Sequence, residues 1–207
     1  MKRFLLLFCL LTLAVSHPLS AQISIGAGYL NTLANSGVEK TSGNGFYAGV
    51  SYRIPLMESF SLIPGLYFTR AKAPQEVFPS SSHLSADDYY VEKALLASFH
   101  LHWDINLSSH VRAFLYAGPS LQYGLQCQAF SDAYGKPQDL YSGNGYWPAR
   151  QRWNVWAGGG VGLSFPVLSV HRVYLTGGWD YGLMNRYVDS SLKSHSSMWK
   201  IGAGFEF

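Results

Sequence analysis

Apolar residues alternate with polar or small ones in eight separate stretches of the chain, a period of two that predicts half-buried β-strands and no helix of useful length. In "QISIGAGY", Ile23, Ile25, Ala27 and Tyr29 share one face and Ser24, Gly26 and Gly28 the other. "GFYAGVSYRI" sets Phe46, Ala48, Val50, Tyr52 and Ile54 against Tyr47, Gly49, Ser51 and Arg53. The same alternation runs through "FSLIPGLYFTR", where Pro64 removes one ladder donor, and through Tyr90 to Ile105. It recurs in "HVRAFLYAGPSLQYGL", "RWNVWAGGGVGLSF", "VYLTGGWDYGL" and the terminal "WKIGAGFEF".

The connections predicted between these strands differ regularly in length. Long polar stretches follow the first, third, fifth and seventh strands, near residues 31–43, 71–88, 127–151 and 184–196. After the second, fourth and sixth come only "PLMES", "NLSS" and "PVLSVHR". Consecutive antiparallel strands would gather the long loops at one end of a barrel and the short turns at the other, the asymmetry of transmembrane barrels.

Such a barrel can face either way, and the small residues decide between the alternatives. With the apolar face inside, a soluble periplasmic ligand-binding barrel would show water a wall of Gly, Ser, Tyr and scattered charge. Turned inwards, the glycines make room for Tyr47, Tyr67, Phe114, Tyr116, Trp156 and Tyr174 in an interior just wide enough to be filled by side chains. The apolar face also carries rings towards both strand ends. Phe46, Phe68, Tyr123, Trp153 and Trp199 lie towards the long loops, and Tyr52, Phe60, Trp103, Phe165 and Phe207 towards the short turns. Two such belts separated by aliphatic residues describe a membrane slab.

Composition agrees with this picture. Charged residues are only 13% of the chain, against roughly a quarter in ordinary soluble domains. The opening "MKRFLLLFCLLTLAVSHPLSAQ" reads as a signal peptide over residues 1–21, followed by one domain over 22–207. Without Lys2 and Arg3, the 15 Lys and Arg fall to 13, against 12 Asp and Glu, leaving no concentrated basic surface for nucleic acid. Cys9 lies in the signal, so Cys127 is alone and no internal disulfide is possible in the mature chain.

The polar residues offer several chemistries. Arg53, Glu92, His100, His102, Asp104, Arg112, Asp180, Lys200 and Glu206 all fall on the predicted inner face, where an ion-paired network is the simplest arrangement. Within "HLHWD", His100, His102 and Asp104 project from one strand and could instead share a metal or a proton. A hydrolase would need a Ser/His/Asp-type group near the rim, and His83 with Asp87 and Asp88, or Ser194 with His195, supply the residue types. Arg70, Lys72 and Lys93 sit at the long-loop margin, within reach of lipid phosphates or water. Cys127, at the start of the longest loop, is read as an inert or exposed thiol. The loops, including "YSGNGYW", suit either contact surfaces or ordinary turns. None of these groups is assigned a catalytic, cofactor-binding or metal-binding role.

The final strand "WKIGAGFEF", with Phe207 last and Phe205, Ala203, Ile201 and Trp199 at alternate positions, resembles the assembly signal of small outer-membrane β-barrel proteins of Gram-negative bacteria. The resemblance is strongest to the eight-stranded barrel-domain families of the Bacteroidetes lineage. It spans residues 22–207 and implies insertion by the barrel-assembly machinery and contact with outer-membrane lipids and lipopolysaccharide. The expected fold is all-β, a transmembrane eight-stranded antiparallel up-and-down barrel with short periplasmic turns and long extracellular loops. The expected protein is a non-enzymatic monomer without cofactor, located in the bacterial outer membrane and serving envelope structure or surface interaction, with an extracellular or envelope protein as a conceivable partner. A small-molecule channel and a lipid-modifying or proteolytic enzyme are the alternatives within the membrane.

"IGAG" occurs twice, at Ile25–Gly28 and at Ile201–Gly204. A phosphate-binding loop needs its glycines on a turn entering a helix, which neither copy has. The two copies lie on the first and last strands, which must pair to close the wall.

Overall fold

The computed structural model describes residues 22–35, 40–74, 88–131, 136–143, 149–167, 171–189 and 194–207. Its strands are β1 (Gln22–Asn35), β2 (Lys40–Met57), β3 (Phe60–Pro74), β4 (Tyr89–Asn106), β5 (Arg112–Phe130), β6 (Gln138–Asp139), β7 (Trp153–Pro166), β8 (Arg172–Gly182) and β9 (His195–Glu206). Eight of them pair antiparallel with their neighbours around a closed wall, β1 meeting both β2 and β9, while the two-residue β6 attaches to the outer end of β5. Each wall strand has at least 11 residues, sufficient for a tilted crossing of the hydrocarbon. Closure pairs the backbone groups that lipid cannot satisfy. Among the described residues no helix is long and apolar enough to cross a membrane.

The faces follow the alternation. Ile25, Val50, Leu66, Leu115, Val161 and Ile201 are exposed on the outside, while Ser51, Arg53, Ser98, His100 and Asp180 are buried within. Around the outer wall the rings meet in pairs. Phe46 lies 6.3 Å from Phe68 and Tyr123 4.6 Å from Trp153 towards the long connections, and Phe60 stacks on Trp103 at 6.1 Å near the short turns. The structure adds Trp179, 6.2 Å from Trp199, to the first belt.

The seam pairs the repeated motif with itself. Gly26 faces Gly204, Ala27 faces Ala203 and Gly28 faces Gly202. A Cβ on Gly202 would run into the Tyr47 ring, and one on Gly204 into that of Tyr174. The motif is therefore a closure element whose bare inner surface admits two tyrosines into the lumen.

Two features differ from the sequence expectation. The first long connection is mostly strand, because β1 and β2 stay paired up to Asn35 opposite Lys40. The register also shifts between Lys93 and Ala94, which pair with Gln126 and Gly124, leaving Leu125 as an extra residue. This bulge reverses the parity of the rest of β5. Cys127, which the preceding alternation points outwards, is turned inwards and fully buried.

Candidate functional site

The interior is layered. At the short-turn end, Arg53 on β2, Asp104 on β4, Arg112 on β5 and Glu206 on β9 form a ring of two cations and two anions. Arg53 reaches Asp104 at 2.7 Å and Glu206 at 3.4 Å, while Arg112 lies 3.5 and 3.6 Å from the same two carboxylates. Four of the wall strands are tied together there. Higher up, Lys200 on β9 pairs with Asp180 on β8 at 2.5 Å.

Between these groups lies a cavity of about 90 Å³ bordered by Tyr47, Tyr67, His100, His102, Tyr116 and Tyr174 among others. The space is roomy and polar enough to hold several ordered waters between the tyrosine and histidine side chains. The "HLHWD" residues do not converge. His100 lies 3.5 Å from the Ser120 hydroxyl through Nε2, His102 packs on Phe114 and Tyr116, and Asp104 is turned to the arginines. Among the described residues no three His, Cys, Asp or Glu side chains are placed to hold a metal ion.

An apolar layer crosses the lumen above this cavity. Leu30, Ala71, Leu96, Trp156 and Met198 pack together, with Tyr47 and Tyr67 against them. The layer is anchored on its upper side, where Trp156 Nε1 donates to Gln122 Oε1 at 2.7 Å. A second cavity of about 50 Å³ opens beyond it, with Glu92, Arg150, Arg152 and Arg186 in its lining. Glu92 accepts hydrogen bonds from the Tyr141 hydroxyl at 2.9 Å and from Gln122 at 3.4 Å, and Arg186 lies 3.8 Å away. Arg186 donates to the Tyr90 hydroxyl at 2.8 Å, and the Arg150 guanidinium lies 3.7 Å over the Tyr90 ring.

Above the membrane the barrel carries a small core of its own, in which Ala73, Tyr90, Cys127, Ala129 and Leu140 pack with Tyr141. Burial pushes the Cys127 thiol up to about 12. It also raises Tyr141, whose hydroxyl is further held protonated beside Glu92. Cys127 is thus the inert thiol of the two alternatives.

Of the rim candidates, Ser194 and His195 turn to different surroundings. Ser194 is fully buried, with its amide bonded to the Asn185 side chain, while His195 is exposed and stacks on Tyr181. Asp88 is buried, and His83 and Asp87 lie outside the described residues. The sequence reading missed Leu140, Arg150, Arg186 and Tyr187, which cap the barrel around Tyr90. They fall on segments read as loops or beyond the Leu125 bulge, where alternation gives no guide.

A closed wall of eight strands, lipid-facing outside and packed inside, fits a family model described as outer membrane protein beta-barrel domain, which matches residues 16–207. The chain belongs to that family. Its place is the bacterial outer membrane. Neisserial surface protein A overlays on this barrel with a TM-score of 0.56, at 17% identity over 89% of this chain and 97% of that one. Ail of Yersinia pestis aligns with a TM-score of 0.48, at 16% identity over 90% of this chain and 99% of its own. The outer membrane protease OmpT of Escherichia coli aligns with 0.41, at 12% identity over 90% and 95%. No curated protein matches in sequence. The first likeness bears on fold alone, and as a member of the outer membrane barrel family the protein has its long connections outside the cell and its short turns in the periplasm.

Proposed function

We infer that this protein is a non-enzymatic barrel, closed to solutes, that serves envelope structure or surface interaction through its extracellular end. The observation that carries the reading is the apolar layer of Leu30, Ala71, Leu96, Trp156 and Met198 between two small cavities. An ion or polar solute crossing it would shed its hydration against groups that offer nothing in exchange. The ion pairs below the layer support the same reading, since their charges are turned to one another and not to a pore. The capped upper end supports a stable platform for loops. Export under a signal peptide at residues 1–21 and a monomeric barrel belong to this reading.

Planar-bilayer recording tests it. The refolded protein is expected to give no unitary currents above the bare membrane, and reproducible single-channel steps would sink the closed-barrel account in favour of a channel.

A further inference from the structure

The extracellular cap and the apolar layer meet at one carboxylate. Glu92 Oε1 accepts the Tyr141 hydroxyl at 2.9 Å and the Gln122 amide Nε2 at 3.4 Å. Gln122 Oε1 in turn accepts the Trp156 indole N–H at 2.7 Å, and Trp156 belongs to the layer that crosses the lumen. A continuous chain of hydrogen bonds therefore runs from Tyr141, on the connection between β5 and β7, down to the seal.

The polarity of this chain is fixed from its upper end. A carboxylate only accepts and an indole N–H only donates, whereas a glutamine amide does one at each of its two ends. Glu92 draws the Gln122 NH2 group towards itself and so leaves the carbonyl oxygen facing Trp156. A reversed amide would set donor against donor at Trp156 and acceptor against acceptor at Glu92. Trp156 is only 4% exposed, and a buried N–H left without a partner is costly.

Tyr141 is given a path to Glu92. It passes over Gly124, beside the Leu125 bulge, where a Cβ would stand in the place of the tyrosine hydroxyl. The Arg152 guanidinium covers the ring from the other side at 4.8 Å. The backbone that carries Tyr141 is held less extensively than the wall. It is attached to β5 through the two-residue β6 and the bond from the Leu140 amide to the Cys127 carbonyl, and to the returning chain through the Arg150 amide. Segments with so few ladder bonds open at lower free energy than strands paired over their whole length.

We propose that Glu92 is a relay that couples the seating of the connection between β5 and β7 at the cell surface to the sealing position of Trp156 in the lumen. Displacing the segment that carries Tyr141 withdraws its hydroxyl and frees Glu92 to turn to Arg186, 3.8 Å away on its other oxygen. Gln122 then loses the partner that sets its amide, and Trp156 the acceptor that holds its ring across the lumen. A contact made by the extracellular end would in this way be felt at the seal. The inference rests on the reading of the apolar layer as that seal.

Hydrogen exchange at the Trp156 indole N–H tests it, followed by NMR on the refolded protein in detergent, with the resonance identified by its loss in Trp156→Phe. Tyr141→Phe, which removes only the hydroxyl, is expected to speed this exchange about ten-fold. Tyr187→Phe deletes another buried hydroxyl of the cap, one bonded to Arg150 at 3.4 Å, and is expected to leave the rate unchanged. Unaltered exchange in folded Tyr141→Phe overturns the proposal, and so does equal acceleration by the two variants, which would mean general loosening of the cap. Should Tyr141→Phe not fold, Glu92→Gln takes its place with the same two outcomes deciding, since a second amide can donate where the carboxylate only accepts. Unitary currents from the wild type would instead overturn the sealing role of the layer, while a failed exchange test leaves the closed barrel standing.

Discussion

Gly26 and Gly28 lie two residues apart on one strand and face glycines on the other side of the seam, but they are crowded by different things. Around Gly26 the obstruction to a methyl group is the hydroxyl of Tyr174, 2.6 Å from where a Cβ would stand. Around Gly28 it is backbone, the Ile201 carbonyl and the Cα of Gly202. The two positions should therefore respond differently to the same substitution. Gly26→Ala is expected to cost about 1 kcal/mol through overpacking and to become neutral or stabilising in a Tyr174→Phe background, since the alanine also restricts the unfolded chain. Gly28→Ala should cost more, and no trimming of Tyr47 should recover it, because strands cannot be pushed apart without losing ladder bonds. Urea unfolding from lipid vesicles, followed by tryptophan fluorescence, measures each of these variants. A Gly26→Ala penalty that persists undiminished in the Tyr174→Phe background would show the tyrosine hydroxyl to be irrelevant.

At the level of strands, the ring of Arg53, Asp104, Arg112 and Glu206 joins β2, β4, β5 and β9 and so checks the register of half the wall at once. Taking out one member leaves buried charge unmatched, a loss of about 3 kcal/mol or more in comparable settings. Arg53→Met should lower stability by that order in the vesicle unfolding measurement, as Asp104 and Glu206 are then left to share Arg112. Adding Asp104→Asn to Arg53→Met should recover part of the loss by removing one of the stranded charges. A double variant weaker than the single by the full sum of both effects would mean that the four groups act independently. The strands themselves were legible because period two is a local signal that survives wherever one face meets lipid. It faded above the bilayer, where Asn31, Ser42 and Asn44 replace the apolar residues outside and bond to one another, so paired strand looked like loop. It also broke at Leu125, because one extra residue is invisible in the sequence until the partner strand shows what it opposes. The inward set from Arg53 to Glu206 was readable by parity alone, whereas its pairing needed the register.

For the molecule as a whole, the apolar layer makes a prediction that complements the silence expected of the wild type. Leu96→Ala with Trp156→Ala removes much of the barrier between the two cavities while leaving the wall and the lower ion ring untouched. If the layer is what seals the lumen, this variant should leak small cations measurably in planar bilayers. Folded protein that remains as silent as the wild type would assign the seal to the ring of Arg53 and its partners instead. The eight-stranded architecture, the outward and inward faces and the location were all carried by the sequence. The cap was not, because Leu140, Arg150 and Tyr187 reach the barrel mouth from irregular segments and are placed by three-dimensional neighbours.

The pairing of Ile25 with Phe205 joins residues at nearly opposite ends of the chain, and every other wall pairing is between strands that follow one another. Local hairpins can form as the chain arrives, but none of them can hide both of its edges. The entropy of bringing so distant a pair together is met only at the last step. Closing the wall is therefore expected to be the last step of assembly, taken when the final strand meets the first.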